Sequence, residues 1–443
     1  MKDPNCPAGS GLPLMRLLLV SPQFPPTNAA DAQRLRMLLP HLGAAGCRAE
    51  VLAVEPGNLA APLDPWQAEG LPADVPVHRV RGLPLAWSRL PGLGGVPART
   101  LGALDRAGSR LLRRGGFDGV YFSTTAFGLF RLGPRWRRRF GVPFVLDYQD
   151  PWVNDFYRQH PAIRPPGGRL KQAVSDRLNR LHEPRVLRHV SGITAVSADY
   201  GRQLRGRYPW LEGLPELVLP FPGEPADFIR LPDPPPWPLP FDPHDGLLHW
   251  VSIGRGGPDL ATALEGLFRA IAGHADPQLR RRLRLHFLGT SYAAAGRGIP
   301  SVRPLAERHG LGDCVHEQTD RLPLSQALSC LRAADALLVI GSSDAGYTAS
   351  KIYPYLLARR PLLAVMHRRS SVVDLLQRCG GGQVVTFDGD GSPDRLAAAI
   401  DERWLRQGAH NRVVPLQHEA FAPCTAQAQA TELTAFLRRC LRP

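Results

Sequence analysis

Short apolar runs alternate with segments of helical periodicity along most of the chain. The spacing of apolar residues at Leu35, Leu38, Leu39 and Leu42 is typical of a helix that packs on one face. Runs that are apolar at consecutive positions predict strands buried on both faces, as in parallel sheets covered by helices. The predicted strands are 17–20, 49–54, 77–80, 119–122, 143–147 and 192–196, followed later by 249–253, 284–288, 335–340, 361–365 and 383–386.

A proline-rich segment separates the two sets of strands. Residues 231–243 read LPDPPPWPLPFDP, and seven prolines in thirteen positions cannot continue a helix or a central strand. We therefore predict an interdomain linker at 231–243. The sequence favours an α/β protein with two Rossmann-like, doubly wound parallel-sheet domains, at 15–230 and 244–415.

The two ends of the chain have their own patterns. Residues 1–14 are rich in proline and glycine and precede a clean strand, so we expect a flexible N-terminal extension. Residues 416–443 have helical spacing at Leu433, Phe436, Leu437 and Leu441. This segment is expected to form a helix that packs back on the first domain.

Composition excludes several classes of protein. The chain has 443 residues, 44% hydrophobic and 21% charged, which are ordinary values for folded domains. Its apolar runs are far shorter than the roughly 20 residues that cross a bilayer, and no signal-peptide pattern opens it. The seven cysteines are scattered, with no C-x-x-C pair, which argues against a disulfide framework and a zinc site. We expect a cytoplasmic protein.

The formal charge of +15 is spread along the chain. Lysine occurs only at Lys2, Lys171 and Lys351, leaving 51 arginines among the 54 basic residues, a usage typical of a GC-rich genome. We therefore expect no nucleic-acid partner. Weak peripheral association with an acidic membrane face, where a lipid-linked acceptor would sit, stays open.

Two loops of the first predicted domain carry polar side chains at strand ends. Residues 21–31 read SPQFPPTNAAD, a stiff loop that carries Asn28 and ends at Asp31. The Asp31 side chain is of the type that caps the N-terminus of the helix that follows. Residues 143–154 read PFVLDYQDPWVN, so a buried strand delivers Gln149 and Asp150 into a loop stiffened by Pro151. Because open α/β sheets bind ligands at the carboxyl ends of their strands, these side chains are expected to face the ligand cleft between the domains.

The second predicted domain has a glycine-rich turn and a hydroxyl-rich loop. Residues 251–257 read VSIGRGG, where Gly254 and Gly256 permit close approach and Arg255 supplies charge for a diphosphate at a helix start. Residues 340–365 read IGSSDAGYTASKIYPYLLARRPLLAV. The candidate donor-binding residues of this segment are Ser343, Asp344, Thr348, Ser350 and Lys351. Arg255 and Lys351 are predicted to converge on one diphosphate site.

Together these segments resemble the family 4 type glycosyltransferases of the GT-B fold. The Pro-Pro loop, DxxDPW at 147–152, AVS at 195–197, Gly-Arg at 254–255 and Ser-Lys at 350–351 carry the resemblance. It implies a nucleotide-sugar donor, a sugar or lipid-linked acceptor, and retention of anomeric configuration without a metal or other cofactor. It also implies that Asp150 binds the acceptor hydroxyl or acts as base, and that Arg255 contacts donor phosphate.

The chain departs from the family pattern at several positions. Ala29 and Ala30 replace paired glycines, and Phe221-Pro222 replaces Asn-Gly. The family's Glu-x7-Glu pattern is absent, since Gly346 and Pro354 stand at the two glutamate positions, with Asp344 nearby as a substitute. The lysine that follows the Gly-Arg turn is also missing.

Three functions fit these residues. The first is sugar transfer, with Asn28, Asp31 and Gln149 on the acceptor side. A nucleotide-sugar epimerase would use the same fold, with carboxylates and a histidine at its site. A non-catalytic protein that binds a nucleotide sugar would explain the missing glutamate pair.

Overall fold

The computed structural model describes residues 14–90, 92–154, 168–291, 293, 296–344, 350–388 and 391–441. The chain divides into two compact units. One comprises Met1–Phe221 together with Ala426–Pro443, and the other comprises Pro222–Thr425. None of the helices in the described part of the chain has the length and hydropathy required to cross a bilayer.

The first unit is built on a sheet that has seven parallel strands in the described residues. The strands are β1 Met15–Val20, β2 Cys47–Val54, β3 Val77–Val80, β4 Gly119–Ser123, β5 Phe144–Tyr148, β6 Gly192–Ala195 and β7 Glu216–Val218. Their order is β3-β2-β1-β4-β5-β6-β7. Successive strands are added on one side of β1 as far as β3, and from β4 onward they are added on its other side. This switch point between β1 and β4 opens a crevice at the carboxyl ends of those two strands.

Helices cover both faces of this sheet. They are α1 Gln33–Leu42, α2 Trp66–Glu69, α3 Val96–Arg113, α4 Leu132–Phe140, α5 Arg169–Leu187 and α6 Ala198–Arg207. Alternate residues of β1 enter different cores: Leu18 packs beneath α3 and α4, whereas Leu17 packs toward α1. This explains why the strand is apolar at every position from Leu17 to Val20.

The second unit repeats the plan with six parallel strands among the described residues. They are β8 Leu248–Ile253, β9 Leu283–Leu288, β10 Val315–Gln318, β11 Ala336–Ile340, β12 Leu362–His367 and β13 Gln383–Phe387. The order β10-β9-β8-β11-β12-β13 places the switch point between β8 and β11. The predicted class, two doubly wound parallel sheets, is confirmed.

The helices of the second unit lie between and around these strands. They are α7 Pro225–Ile229, α8 Ala261–Gly273, α9 Pro277–Arg282, α10 Arg303–Arg308, α11 Leu324–Ala333, α12 Ile352–Leu357, α13 Ser371–Cys379, α14 Pro393–Ile400 and α15 His418–Phe421. A buried core joins α8 and α14 to the sheet, with Trp250 and Trp404 at ring centroids 5.7 Å apart.

The final helix, α16 Ala426–Leu441, belongs to the first unit. Leu433, Phe436, Leu437 and Leu441 are buried in the same core as Leu17 and Leu38. The helical spacing of these four residues therefore marks the face that α16 buries.

The segment 231–243 does not form the boundary between the units. The chain passes from one unit to the other at Phe221–Pro222 and returns at Thr425–Ala426. The proline-rich segment instead lies on the second unit, where Trp237 Nε1 donates to Ser329 Oγ at 3.2 Å and Phe241 stacks on His249. Prolines prevent regular structure there, but their neighbours still bury apolar rings. Of the predicted flexible extension, residues 1–13 lie outside the described residues.

Two edge strands, β7 and β10, were not predicted. Each has only three or four residues, and Glu216 and His316 interrupt the apolar pattern. An edge strand pairs on one side only, so it needs less apolar sequence than a central one.

Candidate functional site

Asp31 lies at the switch point of the first sheet. It sits in a 3-10 turn, Ala30–Ala32, directly before α1, and its side chain caps no helix. Its Oδ2 instead accepts hydrogen bonds from Thr124 Oγ1 at 2.8 Å and from the Thr125 backbone N–H at 3.1 Å. Asp31 therefore joins the loops that follow β1 and β4, and the reading of this residue as a helix cap is wrong.

Gln149 extends this network to the strand end of β5. Its Nε2 donates to Asp147 Oδ2 at 2.9 Å, to Ser123 Oγ at 3.0 Å and to the Asp31 carbonyl at 3.2 Å. Its Oε1 is buried and has no hydrogen-bond donor in the part of the chain that the structure describes. Two of the three predicted acceptor-side residues, Asp31 and Gln149, thus share one edge of the sheet. The third, Asn28, is buried in the same loop as Asp31, and its backbone N–H donates to the Pro62 carbonyl at 2.7 Å.

Asp150 is solvent-exposed and lies one residue beyond this network. Protein atoms around the carboxylate displace part of its water, and with the nearby Asp31 charge they raise the pKa of Asp150 to about 6. A carboxylate poised near neutral pH is suited to proton transfer.

The residues that follow Asp150 in its loop are held by hydrogen bonds from two helices. Trp152 Nε1 donates to Asn179 Oδ1 on α5 at 3.1 Å, and Asn179 Nδ2 returns a bond to the Trp152 carbonyl at 3.2 Å. Arg207 donates to the Val153 carbonyl at 3.1 Å and also pairs with the buried Glu183 at 3.0 Å. These contacts fix the backbone on the C-terminal side of Asp150.

The glycine-rich turn of the second unit follows β8, at the switch point of that sheet. Arg255 makes a two-pronged ion pair with Asp259, with Nη1 to Oδ1 at 2.8 Å and Nη2 to Oδ2 at 2.6 Å. Partial burial alone would raise the pKa of Asp259, yet hydrogen bonds from Arg255 and Ser342 hold it below its usual value. The guanidinium is therefore already paired with a carboxylate at this turn.

Lys351 lies against the same turn. Gly254 has φ +125°, and a Cβ there would stand 3.3 Å from Lys351 Cδ and 3.5 Å from Nζ. Glycine thus allows the lysine to run along the backbone next to Arg255. Loss of solvent around the ammonium and the charge of Arg255 lower the pKa of Lys351 to about 8. The structure brings Arg255 and Lys351 together although 96 residues separate them.

Tyr355 holds the last residue of β8, just before the turn that carries Arg255. Its hydroxyl accepts from the Ile253 N–H at 2.5 Å and donates to the Ile253 carbonyl at 3.1 Å. The Tyr355 side chain is buried in α12, the helix that Lys351 precedes. One helix therefore positions both the lysine and the glycine turn.

The loop after β11 completes this edge. The Ser343 N–H donates to the Asp259 carbonyl at 2.8 Å, and the Asp344 N–H donates to Ser342 Oγ at 3.0 Å. Gly256 is bound through its N–H to the Thr290 carbonyl at 2.8 Å. Ser350 directly precedes Lys351, whereas Thr348 lies outside the described residues.

Sequence reasoning missed four groups that shape these two edges: Thr124, Thr125, Asp259 and Tyr355. The two threonines follow β4, so the rule that ligands bind at strand ends could have flagged them. Asp259 stands four residues after Arg255, a spacing that permits an ion pair at a helix start. Nothing in the local pattern distinguishes the Tyr355 hydroxyl from other buried tyrosines. In the described ranges, His, Cys, Asp and Glu form no group of three or more able to hold a metal ion.

The comparisons with known proteins concern the family and the fold of the chain. Residues 32–220 match the model of the glycosyl transferase 4-like domain. No curated protein sequence matches the chain. The chain therefore carries this domain in its first unit.

Solved structures of similar fold cover nearly the whole chain. HepE of Anabaena in complex with UDP is 13% identical, with a TM-score of 0.58, over 96% of this chain and 100% of that one. A UDP-forming trehalose-phosphate synthase from Burkholderia xenovorans is 13% identical, with a TM-score of 0.58, over 97% and 100%. WaaG, a glycosyltransferase involved in lipopolysaccharide biosynthesis, is 12% identical, with a TM-score of 0.53, over 96% and 98%.

These matches define the class of the protein. The chain has the GT-B fold of the glycosyltransferases among these solved structures. Its first unit carries the glycosyl transferase 4-like domain, and its second unit is a matching parallel-sheet unit with a cationic turn.

Proposed function

We propose that this chain is a glycosyltransferase that moves a sugar from a nucleotide-sugar donor to an acceptor, which is a glycan, a lipid-linked sugar or a small molecule. The observation that carries the proposal is the contact of Lys351 with Gly254, beside Arg255, at the carboxyl edge of the second sheet. Two cations and the N–H groups of a helix start at a switch point suit a diphosphate.

The proposed chemistry divides between the units. In the second unit, Arg255 and Lys351 bind the diphosphate and stabilise the negative charge that grows on it as the sugar leaves. In the first unit, Asp150 orients the acceptor hydroxyl or accepts its proton, and Asp31 and Gln149 hold the loop around it. We further propose retention of anomeric configuration and activity without a metal. The UDP bound in HepE makes UDP-sugars the first donors to test.

A non-catalytic role is favoured by two observations. Pro354 stands at a glutamate position of the family pattern, and Arg255 is occupied by Asp259. A protein that only binds nucleotide sugars would keep the cationic turn that binds the diphosphate but would not transfer the sugar.

A donor screen separates the two candidates. The purified chain is incubated with UDP-, GDP- and ADP-sugars, alone and with lipid-linked and soluble sugar acceptors, and release of nucleoside diphosphate is followed. We expect release that depends on an acceptor and is lost in Asp150→Asn. Tight calorimetric binding of a nucleotide sugar without release, across all acceptors, would support the binding protein instead. Interconversion of donor sugars would support an epimerase.

A further inference from the structure

Helix α5, Arg169–Leu187, exposes an apolar stripe to solvent. Val174, Leu178 and Leu181 are 53%, 48% and 43% exposed, and their spacing of four and three residues places them on one face of the helix. The opposite face carries Glu183, Val186 and Leu187, which are buried in the first unit. We call the exposed residues Val174, Leu178 and Leu181 the outer stripe.

Arginines flank the outer stripe. Arg177 and Arg185 are exposed and lie on the same side of the helix as the three apolar residues, and Arg188 follows at the helix end. Partial burial and the neighbouring charges of Arg131 and Arg185 lower the pKa of His182, so Arg131 also lies close to this part of the helix.

The carboxylates in the described part of α5 turn away from this side. Asp176 is partly buried and accepts from Gln172 Nε2 at 2.7 Å. Glu183 is completely buried and pairs with Arg207. The outward side is therefore apolar and cationic, the combination with which helices lie in the interface of an anionic bilayer.

We propose that the outer stripe docks the protein on a membrane surface that carries anionic lipid headgroups. The apolar side chains enter the headgroup boundary, and Arg177 and Arg185 contact phosphates. A second copy of the chain fits this face poorly, because a symmetric contact would bring the arginines of both copies together.

Docking has a consequence for the site. Asn179, on the inner side of α5, holds Trp152 through two hydrogen bonds, and Trp152 lies two residues after Asp150. A docked α5 holds the Asp150 loop close to the bilayer. This step rests on the proposed function, and it makes a lipid-linked sugar the favoured class of acceptor.

Vesicle sedimentation tests the docking with the full chain. We expect binding to vesicles of equal parts phosphatidylglycerol and phosphatidylcholine at low salt, and little binding to phosphatidylcholine alone. Leu178→Gln/Leu181→Gln should weaken binding by roughly tenfold or more. Arg177→Gln/Arg185→Gln should weaken it by about fivefold for each arginine removed. The matched control, Ile229→Gln/Val413→Gln, changes two exposed apolar residues of the second unit, 82% and 50% exposed, and should bind as the wild type does.

Circular dichroism and thermal unfolding establish that each variant is folded. Donor turnover with a soluble acceptor should be unchanged in the stripe variants, so a failure of docking is separable from a failure of the proposed transfer. Equal binding of wild type and Leu178→Gln/Leu181→Gln, or equal binding to neutral and anionic vesicles, would overturn the proposal. Light scattering that shows a wild-type dimer broken by the same substitutions would assign the stripe to self-association.

Discussion

Arg34 Nε lies 2.7 Å from Asp147 Oδ2, and both side chains are completely buried. The guanidinium also donates to the Leu219 carbonyl at 2.6 Å and to the Pro220 carbonyl at 3.2 Å, and it lies 4.8 Å from the ring centre of Phe221. Arg34 therefore joins α1, the end of β5 and the last residues of the first unit before the chain leaves it.

Removing this arginine should destabilise the first unit strongly. Arg34→Leu leaves the Asp147 carboxylate buried without its cation, which typically costs about 3–5 kcal/mol. Equilibrium denaturation in urea measures the change. Arg34→Leu/Asp147→Leu should recover part of the loss, because neither charge is then stranded. A single variant as stable as the wild type would show that water reaches the Asp147 carboxylate.

Asp150→Asn should reduce turnover by orders of magnitude and leave donor binding nearly unchanged, because the amide cannot accept the hydroxyl proton. The matched control is Glu212→Gln, an exposed carboxylate in the same unit. Initial rates and calorimetry give the two quantities. Turnover near that of wild type in Asp150→Asn would remove this residue from the chemistry.

The pH profile provides a second test of Asp150. Its pKa is raised to about 6, so the carboxylate is protonated below that pH and ionised above it. A base must be ionised, and kcat/KM should therefore rise with pH and level off above about 6. A profile that falls over the same range would make Asp150 a proton donor.

Diphosphate binding should depend on Lys351 and on pH. Lys351→Ala should weaken binding of a nucleoside diphosphate by about tenfold to a hundredfold, and Arg255→Ala should act similarly, since each removes a charge-assisted contact. Lys351→Arg should restore the affinity only in part.

The pKa of Lys351 is lowered to about 8, so the affinity of the wild type for a nucleoside diphosphate should fall as the pH rises through 8. Calorimetry from pH 7 to about 9.5 measures both effects, with Arg308→Ala as a charge-matched control. Unchanged affinity in both alanine variants would exclude the proposed donor site.

Asp259→Asn should strengthen diphosphate binding by roughly tenfold. The substitution removes a negative charge close to the bound phosphates and releases Arg255 from its two-pronged ion pair. The double variant Arg255→Ala/Asp259→Asn tests the mechanism: the gain attributed to release of Arg255 should vanish in it. Weaker binding in Asp259→Asn would mean that the carboxylate positions Arg255 for the phosphate.

The sequence by itself determined the two parallel sheets and the loops that end their central strands. The runs 17–20 and 335–340 are apolar at nearly every position because both faces of these strands are buried, and burial of this kind is visible in local sequence. The same rule placed Asp31, Gln149, Asp150, Arg255 and Lys351 in the segments that follow strands.

Only the tertiary structure decided how those residues are paired. Strand order brings β4 beside β1, and so gives Asp31 its partners Thr124 and Thr125, which lie more than ninety residues away. Packing of α12 beneath β8 likewise sets the Tyr355 hydroxyl on Ile253 and brings Lys351 to Gly254. The division at Phe221–Pro222 could not be predicted from the local sequence either. Proline content indicates where regular structure stops, whereas a boundary between units depends on which unit each segment packs against.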